Sequence, residues 1–212
     1  MDLRASCLDG QRDEVEALLA TLASPTPQTA ATLPDAVAAL PHPEACRHVV
    51  DVAPPASAEA ARVTTLRARL AEAKALLATG QLGAAHEHAR ALLRENEQLS
   101  YDPLRAAIFH FAAAVAHERA ELVSAREHAL AGLHAAERAD DRPAVVQAWL
   151  QLATLAAARG APARALEACG HAEAVLTRLP GAVLISAQHH NLRGIALTAL
   201  GRYDEAEVAL TR

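Results

Sequence analysis

The stretch WLQLATLAAARGAPARALEAC, residues 149–169, reads as the end of one helix, a tight turn at Gly160 and the start of a second helix. A glycine at that turn can take the positive φ that ends a helix. Pro162 then fits the first positions of the next helix, where no backbone N–H is needed. Ala153 lies seven residues before the turn and Ala165 five after it. Two antiparallel helices joined by a short turn approach closely only where their side chains are small, so these alanines are expected at the crossing.

The same pattern recurs along the chain. LLATGQLGAAHEHARALL turns at Gly80, AVAHERAELVSAREHALAGL at Ala120 and ALTALGRYDEAEVAL at Gly201. The four turns are 40, 40 and 41 residues apart. The residue seven before each turn is Ala73, Ala113, Ala153 or Gly194, and the residue five after it is Ala85, Ala125, Ala165 or Ala206. Helix starts support the phase: Asp102 reads as an N-cap before Pro103, and Asp140 and Asp141 precede Pro143. The spacing predicts paired helices over 57–79 and 82–97, 103–119 and 122–138, 142–159 and 162–178, and 182–200 and 203–212. A single hairpin cannot bury its own apolar face, so the hairpins are expected to stack.

Composition agrees with helices. Hydrophobic residues make up 52% of the 212, but aromatics only 2%, which suits close helix packing and not a β-sandwich. The net charge of −5 supplies no basic field for nucleic acid. No apolar run of about 18 residues suggests a membrane span, and MDLRASCLDG lacks a leader's apolar core. The expectation is a cytoplasmic protein with no membrane insertion.

The hairpins resemble the tetratricopeptide repeat. In the copy at 149–169, Trp149, Leu152, Ala153, Gly160 and Ala165 match its consensus; in the last copy, Gly194, Gly201, Tyr203 and Ala206 do. Ala120 departs from the turn glycine, and Ala89 and Ala129 stand where the consensus prefers an aromatic. The resemblance implies an all-α fold: a right-handed superhelix of helical hairpins with a period of about 40, preceded by an N-terminal helical pair. The period exceeds the family's usual length, so longer helices are implied. The expected organisation is a helical segment at 1–52, a Pro/Ala connector at 53–60 and an array of about four hairpins at 61–212, the last one cut short.

Residues 1–52 lack the period. DLRASCLDGQRDEVEALLATLAS reads as one amphipathic helix with Leu3, Cys7, Val15, Leu18, Leu19 and Leu22 on one side. A second helix is expected to start at Thr26 and Pro27, with Pro34 limiting or restarting it. The words LRASCLDGQRDEVEALLATL and AVAALPHPEACRHV are similar to the segment preceding tetratricopeptide tails in large bacterial serine/threonine protein kinases. That resemblance implies the regulatory part of such a kinase. The kinase chemistry itself needs a glycine-rich loop, a strand lysine and HRD-type and DFG-type loops, and the chain has none. No catalytic residue is expected here.

Eleven histidines raise metal binding. His86 and His88 are two apart on a helix and point in nearly opposite directions, His189 and His190 are adjacent, and no carboxylate cluster accompanies His110 with His117 or His128 with His134. No metal and no cofactor are expected. Cys7 and Cys46 approach if the N-terminal helices pack; buried thiols are the expectation, with a disulfide as the alternative in an oxidising compartment.

In stacked hairpins the first helix of each pair lines the concave face. The residues expected to point inward are Arg67, Lys74, His110, Phe111, His117, Gln147, Gln151, Thr154, Gln188, Asn191 and Thr198. Such a set can hydrogen-bond an extended peptide or hold a helix, so a peptide or protein partner is expected. The alternative is a spacer or self-association module, with Ile195, Leu197, Val208 and Leu210 of the last repeat buried between subunits as a homo-oligomer.

Overall fold

The computed structural model of the protein describes residues 3–23, 25, 27–38, 40–41, 43, 46, 53–179 and 181–211. Among these residues there are ten α-helices and no β-strand. They are α1 (Leu3–Leu22), α2 (Pro27–Ala38), α3 (Ala60–Ala78), α4 (Leu82–Asn96), α5 (Asp102–Glu118), α6 (Leu122–Arg138), α7 (Arg142–Ala158), α8 (Pro162–Leu176), α9 (Val183–Ala199) and α10 (Tyr203–Leu210). The boundaries of α3 to α10 fall within three residues of those predicted from spacing. Pro34 lies inside α2 and does not restart it. The expected start at Thr26 lies outside the described residues.

The turns explain the register. Gly80, Gly160 and Gly201 have φ of 75°, 70° and 74°. At Gly80 the N–H of Gln81 reaches back to the carbonyl of Leu76 at 2.8 Å, and the N–H of Gly80 to Leu77 at 3.0 Å, which closes the last helical turn in a Schellman motif. Ala120 completes the same motif at φ 59°, and Asp140 between hairpins does so at φ 50°. Two non-glycine residues therefore sit in the left-handed region, where Cβ crowds the following carbonyl. Asp141 caps α7 by accepting from the Ala144 N–H at 3.1 Å. Asp102 is not an N-cap: it is the first residue of α5, Tyr101 precedes it, and its carboxylate accepts from Arg138 at 2.8 and 3.0 Å.

Packing follows the small residues. All eight positions at the expected crossings are buried. Each helix from α3 to α10 packs on the next, and α3, α5, α7 and α9 also touch in series. The large apolar residues fill the gaps on either side of those crossings. Leu66, Leu70, Leu92, Ile108, Phe111 and Val115 share one cluster across α3, α4 and α5, and Leu133, Val145, Leu152 and Leu155 share a second across α6 and α7. Fully burying a leucine or isoleucine contributes roughly 1.5–3 kcal/mol, so each of these side chains adds appreciably to the array's stability.

The N-terminal helices lean on α3. Leu18 and Ala36 meet Ala75 in a small cluster, with Ala17, Leu22 and Ala78 at its edge. The buried stripe of α1 is narrower than its sequence suggests, because Val15 and Leu19 are exposed. Cys7 and Cys46 form a disulfide with Cα atoms 5.7 Å apart, which corrects the expectation of free thiols. Cys169 stays free and buried, and burial pushes its thiol up to about 11. His189 is buried with Nε2 3.1 Å from the Cys169 carbonyl, so the Nε2–H tautomer ties α9 to α8. Trp149 stacks on His171 with ring centroids 4.3 Å apart, joining α7 to α8.

Candidate interaction groove

An open groove of about 720 Å³ crosses the first helices of all four hairpins. Leu77 of α3, Ala114 and His117 of α5, Gln147 and Thr154 of α7, and Gln188 and Asn191 of α9 lie along it. Its volume falls in the range of ligand clefts, about 300–1,000 Å³. Behind it lies a smaller cavity of about 230 Å³, walled by alanines of α5, α6 and α7. Gly132 brings α6 so close to α5 there that a Cβ would sit 3.3 Å from Cβ of Phe109. His110, Gln147 and Gln151 face both spaces.

Seven of the eleven residues picked from sequence line the groove: His110, His117, Gln147, Gln151, Thr154, Gln188 and Asn191. The other four do not. Phe111 is buried in the core shared by α3, α4 and α5. On α5 the apolar residues Leu104, Ile108, Phe111 and Val115 recur every three or four positions and form the face that packs into the cluster with α3 and α4, whereas His110 and Ala114 lie one step round the helix. Arg67 turns to Tyr101, with its guanidinium 5.6 Å from the ring centroid and 3.5 Å from the hydroxyl. Lys74 lines the smaller cavity and pairs with Glu14 of α1 at 2.5 Å. Thr198 is exposed and donates its hydroxyl to the Gly194 carbonyl at 2.8 Å. Sequence reasoning missed Ala114, although it stands six residues before its turn, as Lys74 and Thr154 do before theirs.

The polar chemistry centres on His110 and Gln151. Gln151 Nε2 donates to the His110 backbone carbonyl at 3.1 Å and so links α7 to α5. His110 Nδ1 and Gln151 Oε1 are both buried without a hydrogen-bond partner among the described residues. Burial, reinforced by the Lys74 charge and partly offset by the Gln151 side chain, lowers His110 to about 4. The imidazole is therefore neutral near pH 7 and can both donate and accept. Asp141 at the cavity edge is raised by burial and held back by the Ala144 N–H. The groove thus offers amides, hydroxyls and neutral imidazole more than charge.

Among the described residues no group of three or more His, Cys, Asp or Glu side chains is placed to hold a metal ion. Among them, too, no helix is long and apolar enough to cross a membrane. At the far end, Ile195, Val208 and Leu210 are exposed, but Leu197 is buried against Ala206 and Ala209 within the chain. Leu197 is therefore withdrawn from any interface between subunits.

The crystal structure of BtubC (BKLC) from P. vanneervenii is similar to this chain in fold, with a TM-score of 0.64. The match covers 100% of this chain and 89% of that one at 16% identity. No family model matches the chain, and no curated protein does.

Proposed function

We propose that the chain is a non-catalytic interaction module, a right-handed superhelix of tetratricopeptide-like hairpins that binds a peptide or protein partner in its groove. It would serve as the recruitment or regulatory part of a bacterial serine/threonine kinase signalling protein. The observation that carries the reading is the alignment of seven polar side chains from α5, α7 and α9 along one open channel. Amides that both donate and accept suit the backbone of an extended chain or the polar side of a helix. The kinase setting rests on the resemblance of residues 1–52. Its test is a capture experiment comparing the native chain with Gln147→Ala/Gln188→Ala/Asn191→Ala. These three side chains are exposed, so their removal leaves the core intact. A partner held by the native chain and lost by the variant supports the groove; equal retention moves binding to another surface.

The second reading is self-association or a spacer role. It is favoured by the exposed apolar residues Ile195, Tyr203, Val208 and Leu210 of the last hairpin. Seven residues after each turn stand Glu87, Glu127 and Glu167, but Val208 in the last hairpin. Light scattering over a wide concentration range separates the readings, since a monomer throughout would exclude self-association.

A further inference from the structure

The repeat relates the three junctions between hairpins position for position. Where α3, α4 and α5 meet, Leu66, Leu70, Leu92, Leu104, Ile108 and Phe111 are buried in one apolar cluster. One repeat later, where α5, α6 and α7 meet, the same six positions hold Ala106, His110, Gly132, Ala144, Ala148 and Gln151. Another repeat on, where α7, α8 and α9 meet, they hold Val146, Leu150, Ala172, Ile185, His189 and Leu192. Five of these last six pack into one apolar cluster, and the sixth, His189, is buried. The middle junction therefore has alanine or glycine at four of the six positions and polar side chains at the other two. Small residues in the place of large ones leave space, because the surrounding helices collapse only partly. The cavity of about 230 Å³ behind the groove is that space, since all six residues line it.

We propose that this cavity is an anchor site: it takes one apolar side chain, aliphatic or aromatic, of the peptide or protein segment that lies in the groove. The proposal rests on the groove reading and names the partner's chemistry. The cavity walls are alanines, a glycine and two prolines, Pro103 and Pro143. His110 Nδ1 and Gln151 Oε1 are buried, so those side chains turn little polarity toward the space. Its two charged residues are already engaged: Lys74 pairs with Glu14, and Asp141 caps α7. Size sets the occupant. An apolar cavity of about 150 Å³ holds a benzene ring, whereas clefts for drug-sized ligands begin near 300 Å³. About 230 Å³ therefore suits one ring or one branched aliphatic chain. The cavity shares His110, Gln147 and Gln151 with the groove, so a side chain can enter from a backbone held there. A buried apolar anchor surrounded by polar contacts is a common way for an interface to concentrate its binding energy.

The test fills the cavity with the array's own residues. Ala144→Leu/Ala148→Ile restores the side chains that Leu104 and Ile108 supply at the first junction. Ala107→Leu, at a partly exposed position on the cavity wall, is the second filled variant and serves if the first does not fold. The full chain and the variants are titrated with indole, read by saturation-transfer NMR. Indole is expected to bind the native chain and to bind a filled variant severalfold more weakly. No binding to the native chain, or equal binding to a folded filled variant, would overturn the anchor site. A degenerate dodecapeptide pool is then passed over the same proteins and the retained peptides are sequenced. Those held by the native chain should be enriched severalfold in Leu, Ile, Met or Phe at one position, and those held by a filled variant should not. Retention without that preference overturns the anchor and leaves the groove standing. A preference that persists in Gln147→Ala/Gln188→Ala/Asn191→Ala leaves the anchor standing and refutes the groove's amides. Retention of no peptide by the native chain overturns both.

Discussion

Acidification should destabilise the protein through His110, by an amount that its surroundings set. The folded imidazole titrates at about 4, below its ordinary 6.5, because burial and the Lys74 ammonium disfavour the cation. The unfolded chain therefore binds a proton that the folded chain refuses. The sign follows: this contribution to stability is present above the unfolded value and is lost as pH falls from the ordinary value toward the folded one. Between about pH 7 and about pH 5 the difference in proton binding amounts to about 2 kcal/mol, and its limit at lower pH is about 3 kcal/mol. His128 and His189 are lowered in the same direction by burial, so the native curve carries their contributions too. The assay is a set of urea melts across that pH range for the native chain and for His110→Gln, which retains a polar side chain at the site. The native chain should lose about 2 kcal/mol more than the variant between about pH 7 and about pH 5. Parallel stability curves for the two proteins would refute the argument, since they would mean that His110 is solvated enough to protonate in place.

Three further substitutions probe the scaffold. Ala120→Gly should stabilise by roughly 1 kcal/mol, because glycine takes the observed φ of 59° without the Cβ penalty; a lowered melting temperature would contradict this. Ala153→Leu should destabilise by roughly 1–3 kcal/mol by overpacking a fully enclosed crossing, and an unchanged melting temperature would count against the register. Gln151→Ala should cost about 1 kcal/mol, more than an ordinary surface change, because it removes the hydrogen bond to the His110 carbonyl; chemical denaturation reads the loss, and no change would mean that the bond is immaterial.

The hairpins were legible because their determinants are local. A turn residue with positive φ and small residues at fixed distances from it mark where two helices end, meet and cross, and Ala73, Ala113, Ala153 and Gly194 all proved buried. The groove was legible where the helix phase was right, as at Gln147, Gln151 and Thr154. Phe111 was misplaced because it neighbours His110 in sequence, yet adjacent helical residues point about 100° apart and an aromatic goes to the apolar face. The remaining differences are long-range. Glu14 and Lys74 are 60 residues apart, and Cys7 and Cys46 are 39 apart, so no periodicity could join either pair. Gln151 read as a surface residue because its partner, a backbone carbonyl of another hairpin, leaves no mark in sequence.

Trp149 is the chain's one tryptophan, and its stack on His171 places the dominant natural fluorophore in the third hairpin. Its emission therefore reports the joint between α7 and α8, while the far-ultraviolet dichroism reports all the helices together. In a stacked array, where hairpins contact mainly their neighbours, the two signals need not change together. Coincident denaturation curves would show an array that melts as one unit. An emission transition displaced from the dichroism would instead time the third hairpin against its neighbours, giving an unfolding order without any introduced label.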